Sequence, residues 1–288
     1  MPNPHPAWIA VNCTPHRLHV WLMDTACATL EKRVGEHCGR PVATLHNMLA
    51  DVLCDTPLFT MACGLSNAGA PPHFVPVPSA PPGRAAATRV TAGGLDLHLL
   101  PGLHQTAPTD VMYGDETLIA GFLAAEADFD GILCLPGNHT RWAHISAGEV
   151  VSFRSFMTGE LFGLITGKSL LRETVAGGGW DQSAFNTALA DTMSRPTDLA
   201  AKFMSLYAEG MQDTLPPATA RARLSAALVG AELGAAKPYW LGQQVVILGQ
   251  TDLGAAYHAA LAAQGVAVRI VDATDLPLAG LIAAYLDD

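Results

Sequence analysis

Two stretches of the chain share one rhythm of apolar and polar positions. Near the N-terminus, Trp8-Ile-Ala-Val-Asn-Cys-Thr-Pro-His-Arg-Leu-His-Val-Trp-Leu-Met-Asp24 runs apolar, breaks at a small polar turn and becomes apolar again. After Phe129 the order repeats: the run Ile132 to Leu135, the turn Pro-Gly-Asn-His-Thr140, a second run, a turn at Gly148, and a third run leading towards Glu160. Short apolar runs bounded by Gly, Pro and Asn read as strands, so each stretch predicts strand, polar turn, strand. Two halves that open alike predict a duplicated architecture with a cleft between the copies.

Elsewhere the pattern alternates between the strand and helix periods. Cys27 to Glu36 supplies a third strand or the approach to it, and Val42, Leu45, Met48, Leu49, Val52 and Leu53 recur at the spacing of an amphipathic helix over 41–54. Leu58–Cys63 and Leu95–Leu100 read as strands. The proline-rich residues 70–84 have no period and predict an extended loop on the surface or at the cleft mouth. Pro108-Thr-Asp110 reads as the start of a helix that runs from about Gly114 to Ala125, with acids in its first turn where the helix dipole favours them. The second half predicts helices over 160–171, 181–193, 199–209, 217–236, 253–264 and 276–286, and strands over 245–249 and 266–271.

Composition narrows the function. Half of the 288 residues are apolar and 15% are charged, which fits an ordered protein with a large core. The net charge of −10, with no basic run, argues against general binding to nucleic acid or anionic membranes. An anionic small molecule must then be held by a few well-placed donors. The start Met1-Pro-Asn-Pro-His-Pro lacks the features of a signal peptide and no apolar run nears the length of a membrane span, so a soluble, cytoplasmic protein is expected. Six cysteines without a CxxC pair read as reduced thiols, mostly packed in the core. Gly163-Leu-Ile-Thr-Gly-Lys-Ser169 is one residue short of a P-loop and lies within a helical pattern, and the histidines show no HExxH spacing.

Leu135-Pro-Gly-Asn-His-Thr-Arg-Trp142, Phe156-Met-Thr-Gly-Glu-Leu-Phe162, Val111-Met-Tyr-Gly-Asp-Glu-Thr117 and Arg223-Leu-Ser-Ala-Ala-Leu-Val-Gly-Ala-Glu232 together resemble the 2-keto-3-deoxygalactonokinase family over nearly the whole chain. The resemblance implies an α/β fold of two ribonuclease H-like lobes, the actin/hexokinase/Hsp70-like duplicated fold, around a central cleft. It places an N-terminal lobe at 1–127 and a C-terminal lobe at 128–288, with the last helix packing back toward the first. It further implies ATP and Mg²⁺ as cofactors, and transfer of the γ-phosphoryl group to the C6 hydroxyl of 2-dehydro-3-deoxy-D-galactonate in galactonate breakdown. The partner is then a small sugar acid, and a homodimer is compatible with it.

Phosphoryl transfer asks of a protein donors around the phosphates, a cation site and a carboxylate that takes the proton of the attacking hydroxyl. By resemblance, Asn12 and Thr14 in the first turn and Gly137, Asn138, His139 and Thr140 in the second face phosphate, with Gly230 and Gly249 in the adenine pocket. Pro-Gly-Asn is also ordinary turn chemistry, and the small residues around Gly230 equally suit close packing. Asp115 and Glu116 are the candidate bases; helix capping is the alternative role for acids at such positions. Ser66, Asn67, Tyr113 and Arg141 are the substrate-side candidates, and no metal ligand is certain. The chain departs from the family pattern where Asn12 replaces Asp, Thr14 replaces Gly, Pro15 removes an N–H, and Ser66, Tyr113 and Tyr207 replace Arg. A second expectation follows: a catalytically impaired paralogue that binds a ligand or regulates.

Overall fold

The computed structural model describes residues 5–66, 68 and 70–287. The chain divides into two compact units, Met1–Phe129 with Ile145–Ser152 and Ala273–Asp288, and Asp130–His144 with Phe153–Asp272.

In the first unit the predicted hairpin forms as β1 (Trp8–Cys13) and β2 (Arg17–Met23), followed by β3 (Thr29–Glu36) and helix α1 (Pro41–Leu49). Strand β4 (Leu58–Cys63) comes next, then β5 (Phe74–Pro76), β6 (Thr88–Ala92), β7 (Leu95–Leu99), β8 (Gly102–Thr106), β9 (Thr109–Met112) and α2 (Asp115–Ala125). The main sheet has the order β3-β2-β1-β4-β7-β6, with β1 antiparallel to β2 and parallel to β4, and β4 parallel to β7.

Strand alternation explains why this sheet is apolar on both faces. Ile9 and Val11 join Leu18, Val20, Leu45 and Leu97 in one core. Trp8 and Ala10 point the other way, into a core shared with Met61, Leu281 and Ala284. Those last two residues belong to the closing helix, Leu276–Leu286, which packs along α2 and β1.

In the second unit, β10 (Gly131–Leu135), β11 (Thr140–Ser146) and β12 (Glu149–Phe156) precede four helices, α3 (Thr158–Lys168), α4 (Gln182–Ser194), α5 (Leu199–Met211) and α6 (Pro217–Ala235). The short α7 (Lys237–Trp240), β13 (Val245–Leu248), α8 (Asp252–Ala263) and β14 (Val268–Val271) complete this unit, and the last helix, α9 (Leu276–Leu286), belongs to the first. The sheet order is β12-β11-β10-β13-β14, with β10 parallel to β13 and β13 to β14. This is the order β3-β2-β1-β4-β7 of the first unit over again, so each half carries the ribonuclease H-like plan. Ile132, Trp142, Phe185, Val229, Leu233 and Tyr257 fill the core between this sheet and its helices.

Two segments differ from the sequence reading. Residues 102–112 form the β8–β9 hairpin, with Leu103 opposite Met112, where 108–110 had predicted a helix start. Gln105 closes the turn by donating to the Pro108 carbonyl at 2.9 Å, and the helix begins only after Gly114. The predicted helix over 41–54 ends at Leu49; just beyond it Asp51 is gripped by the Arg33 guanidinium at 2.6 and 2.8 Å.

One carboxylate ties two helices of the second unit together. Asp191 in α4 accepts from Arg195 and from Lys202 in α5, and these cations hold its carboxyl below the usual aspartate range. A depressed folded-state pKa contributes stability above the unfolded value of about 3.9 and loses it as pH falls through the folded value. Asp191→Asn is therefore expected to lower the melting temperature at pH 7, and the gap to the native protein should narrow as pH falls below the unfolded value, as followed by circular dichroism.

Candidate active site

At the carboxyl end of β1 the first turn is held by its own side chains. The Thr14 hydroxyl accepts from the Arg17 N–H at 3.1 Å and donates to the Arg17 carbonyl at 3.0 Å, while His37 Nε2 lies 2.8 Å from the Thr14 carbonyl. Thr14 is thus turned into the hairpin, and Pro15 at the tip is exposed. Asn12 is buried and its Oδ1 accepts from the Cys63 thiol at 3.4 Å, which joins the ends of β1 and β4.

Gly64, immediately after β4, has φ +67°, and a Cβ there would stand 2.3 Å from the Cys13 carbonyl oxygen and 3.8 Å from the Cα of Gly114. Only glycine lets these three backbones meet. Tyr113 donates to the Leu65 carbonyl at 3.0 Å. The structure therefore gathers Asn12, Cys63, Gly64, Tyr113 and the first turn of α2 at one end of the sheet. Ser66 follows in the same loop, half-buried, and Asn67 lies outside the described residues.

The two candidate bases separate here. Both carboxylate oxygens of Glu116 accept the Gly114 N–H at 2.8 Å, and the side chain is 1% exposed. That is a capping role, in which a carboxylate meets a donor that the helix leaves without a partner. Asp115, at the first position of α2, is half-buried.

In the second unit the turn after β10 meets the start of α3. A Cβ on Gly159 would fall 2.1 Å from the Gly137 carbonyl oxygen, the Glu160 N–H donates to the Asn138 carbonyl at 2.9 Å, and His139 Nε2 lies 2.8 Å from Glu160 Oε2. Pro136, Gly137, Asn138, Thr158 and Gly159 form one wall of a 1010 Å³ cavity. Its other walls come from Gly177–Gly179 and Trp180, from Arg221, Leu228 and Val229 on α6, and from Thr251 and Asp252 at the start of α8. Phe162 and Arg221 both reach it, the guanidinium lying 4.9 Å from the ring centre. Thr251 caps α8, its hydroxyl accepting from the Gly254 N–H at 3.0 Å.

Several predicted residues lie elsewhere in this unit. Thr140 is fully buried and bonds the Tyr257 hydroxyl at 3.0 Å, because strand alternation turns it and Trp142 toward the helices. Arg141, on the opposite face of β11, is 9% exposed. Gly230 faces α4, where its missing Cβ would sit 3.1 Å from Thr192, and Gly249 donates to the Val271 carbonyl at 2.9 Å. Tyr207 packs against the apolar cluster of Leu171, Val175 and Leu206, a core role where the family pattern has Arg. The residues that sequence reasoning missed, Gly177–Trp180, Phe162 and Arg221, converge only through packing; the triple glycine followed by Trp was the one local signal.

Among the described residues no group of three or more His, Cys, Asp or Glu is arranged to hold a metal, and no helix is long and apolar enough to cross a membrane.

Two units on the ribonuclease H-like plan put the chain in the actin/hexokinase-like ATPase fold class. A family model for 2-keto-3-deoxy-galactonokinase matches residues 16–284, so the chain belongs to that family of sugar-acid kinases. It is 31% identical to a probable 2-dehydro-3-deoxygalactonokinase from Rhizobium meliloti (strain 1021), over 96% of each chain. It is 29% identical to the 2-dehydro-3-deoxygalactonokinase of Escherichia coli (strain K12), over 64% of this chain and 63% of that one. A crystal structure of a candidate 2-dehydro-3-deoxygalactonokinase from Sinorhizobium meliloti superposes with a TM-score of 0.86 at 29% identity, covering 96% of this chain and 97% of that one.

The glycine contact at the end of β4 gives a direct test. Gly64→Ala is expected to cost about 1–3 kcal/mol, as a left-handed backbone without glycine does. Gly234→Ala, a helical site with nothing within 4 Å of the added Cβ, should be neutral or stabilising. Denaturation midpoints of the two variants read the difference.

Proposed function

We propose that this protein is an ATP-dependent kinase that transfers the γ-phosphoryl group to the C6 hydroxyl of 2-dehydro-3-deoxy-D-galactonate, the substrate that the names of its relatives carry. The observation that carries the reading is the cavity of the second unit, on which the Gly137–Asn138 turn and the first turns of α3 and α8 all open. Helix N-termini and glycine turns present backbone N–H groups, the donors that suit phosphate in a chain with a net charge of −10. The 1010 Å³ volume accommodates a nucleotide, and Leu228, Val229, Leu253 and Ala256 give it an apolar side for a base.

Asp115 is the proton acceptor in this reading. The hydroxyl proton passes to its carboxylate as the sugar oxygen bonds to phosphorus, and the bridging oxygen leaves with ADP. Glu116 is committed to the Gly114 N–H and holds the helix start in place. A Mg²⁺ ion would be held largely by the nucleotide itself, since this cation commonly keeps phosphate and water ligands in place of an all-protein cage. It neutralises phosphate charge when bound. Asn12 keeps the shape of an aspartate without its charge, and its oxygen is engaged by Cys63.

Purified protein given Mg-ATP and the keto-deoxy acid should release ADP and the 6-phosphorylated acid. Asp115→Asn should lower kcat by about 10²–10⁴-fold, the usual scale of a general base, with the melting temperature held. Glu116→Gln should instead lower the melting temperature. A folded native protein that neither consumes ATP nor binds it by calorimetry would overturn this reading in favour of a catalytically silent, ligand-binding paralogue.

A further inference from the structure

Glu232 lies in α6 with 3% of its surface exposed. Its oxygens accept three hydrogen bonds, each from a different element: Trp142 Nε1 of β11 at 2.7 Å, the hydroxyl of Thr158 at the start of α3, and the Tyr257 hydroxyl of α8. Tyr257 is in turn bonded to Thr140. Burial lifts the Glu232 carboxyl above the usual range, and the three donors pull against that shift. A buried carboxylate with this many partners holds its donors in one arrangement, because losing any of them leaves charge unsatisfied.

One of those donors belongs to the cavity wall. Thr158 lines the cavity, the adjacent Gly159 lies against the Gly137 carbonyl, and Glu160 donates to Asn138. We infer that Glu232 is a positioning residue: acting through Thr158, it pins the first turn of α3 against the Gly137–Asn138 turn and so sets the phosphate side of the cavity. This rests on reading that cavity as the nucleotide site. It goes beyond it in assigning the geometry to a side chain that is not itself among those lining the cavity.

Amide hydrogen exchange tests the positioning without any catalytic readout. In Glu232→Leu, the Glu160 amide should exchange at least tenfold faster than in the native protein. The Ile132 and Gly249 amides, which bond Gln244 and Val271 in the same unit, should change little. Glu232→Gln should restore slow exchange, since its amide oxygen still accepts from Trp142 while the two hydroxyls reverse to accept from its NH₂. Should Glu232→Leu fail to fold, Thr158→Val removes the single link and should speed the same amide. In assays with Mg-ATP, each disrupting variant should raise the KM for ATP more than it lowers kcat. Unchanged exchange at Glu160, or equal acceleration at all three amides, would overturn the inference and leave Glu232 a general core group. If the native protein turns over no ATP, the nucleotide reading fails separately, and the exchange result still decides whether Glu232 positions α3.

Discussion

Parallel pairing of the hairpin's opening strand with a strand reached by a crossover is the constraint on which the rest depends. In a parallel pair both strands end on the same side, so whatever follows one is delivered beside whatever follows the other. β1 and β4 obey this in the first unit, which is why Asn12 meets a cysteine 51 positions away along the chain. β10 and β13 obey it in the second, which is why the Gly137 turn and the start of α8 share one cavity. Asn12, Gly64, Gly137 and Thr251 all sit at such a strand end or in the turn that follows it. The duplicated plan thus produces two rims from one rule of sheet geometry.

Much of this was legible because the opening strands are short, apolar and bounded by turn residues, so their pattern has no helical competitor. The order of elements from β10 to α9 also follows the apolar period closely. The β8–β9 hairpin escaped because its two strands are brief and Pro108, a frequent helix starter, sits in its turn. Side-chain direction was the larger loss. Thr140 and His139 are neighbours in a motif that suggests phosphate contact, yet one is sealed against Tyr257 while the other is exposed beside Glu160. A pattern of residue types does not say which face a strand residue takes until its register is fixed. That Phe162, Arg221 and the glycine run share one cavity was hidden for a different reason: they meet through tertiary packing alone.

Buried acids carry opposite meanings in the two units. Glu116 spends its charge locally, on a backbone donor two residues away, so its burial is explained by the helix start it completes. Glu232 spends its charge on three side chains remote in sequence, and an apolar residue would pack there at lower desolvation cost. The first is what any helix with a glycine at its cap position could use. The second makes sense only if the relative placement of β11, α3 and α8 matters more than the stability given up to maintain it.

Sulfur at the first turn has a consequence for chemistry as well as for packing. Burial raises the Cys13 thiol to about 11 and drives that of Cys63 higher still, so neither forms appreciable thiolate at neutral pH. Cys38 and Cys54, by contrast, stand exposed. Alkylating reagents and peroxide are therefore directed to the periphery of the molecule, and a fluorophore coupled through maleimide would report on the protein while leaving the thiol that supports Asn12 untouched.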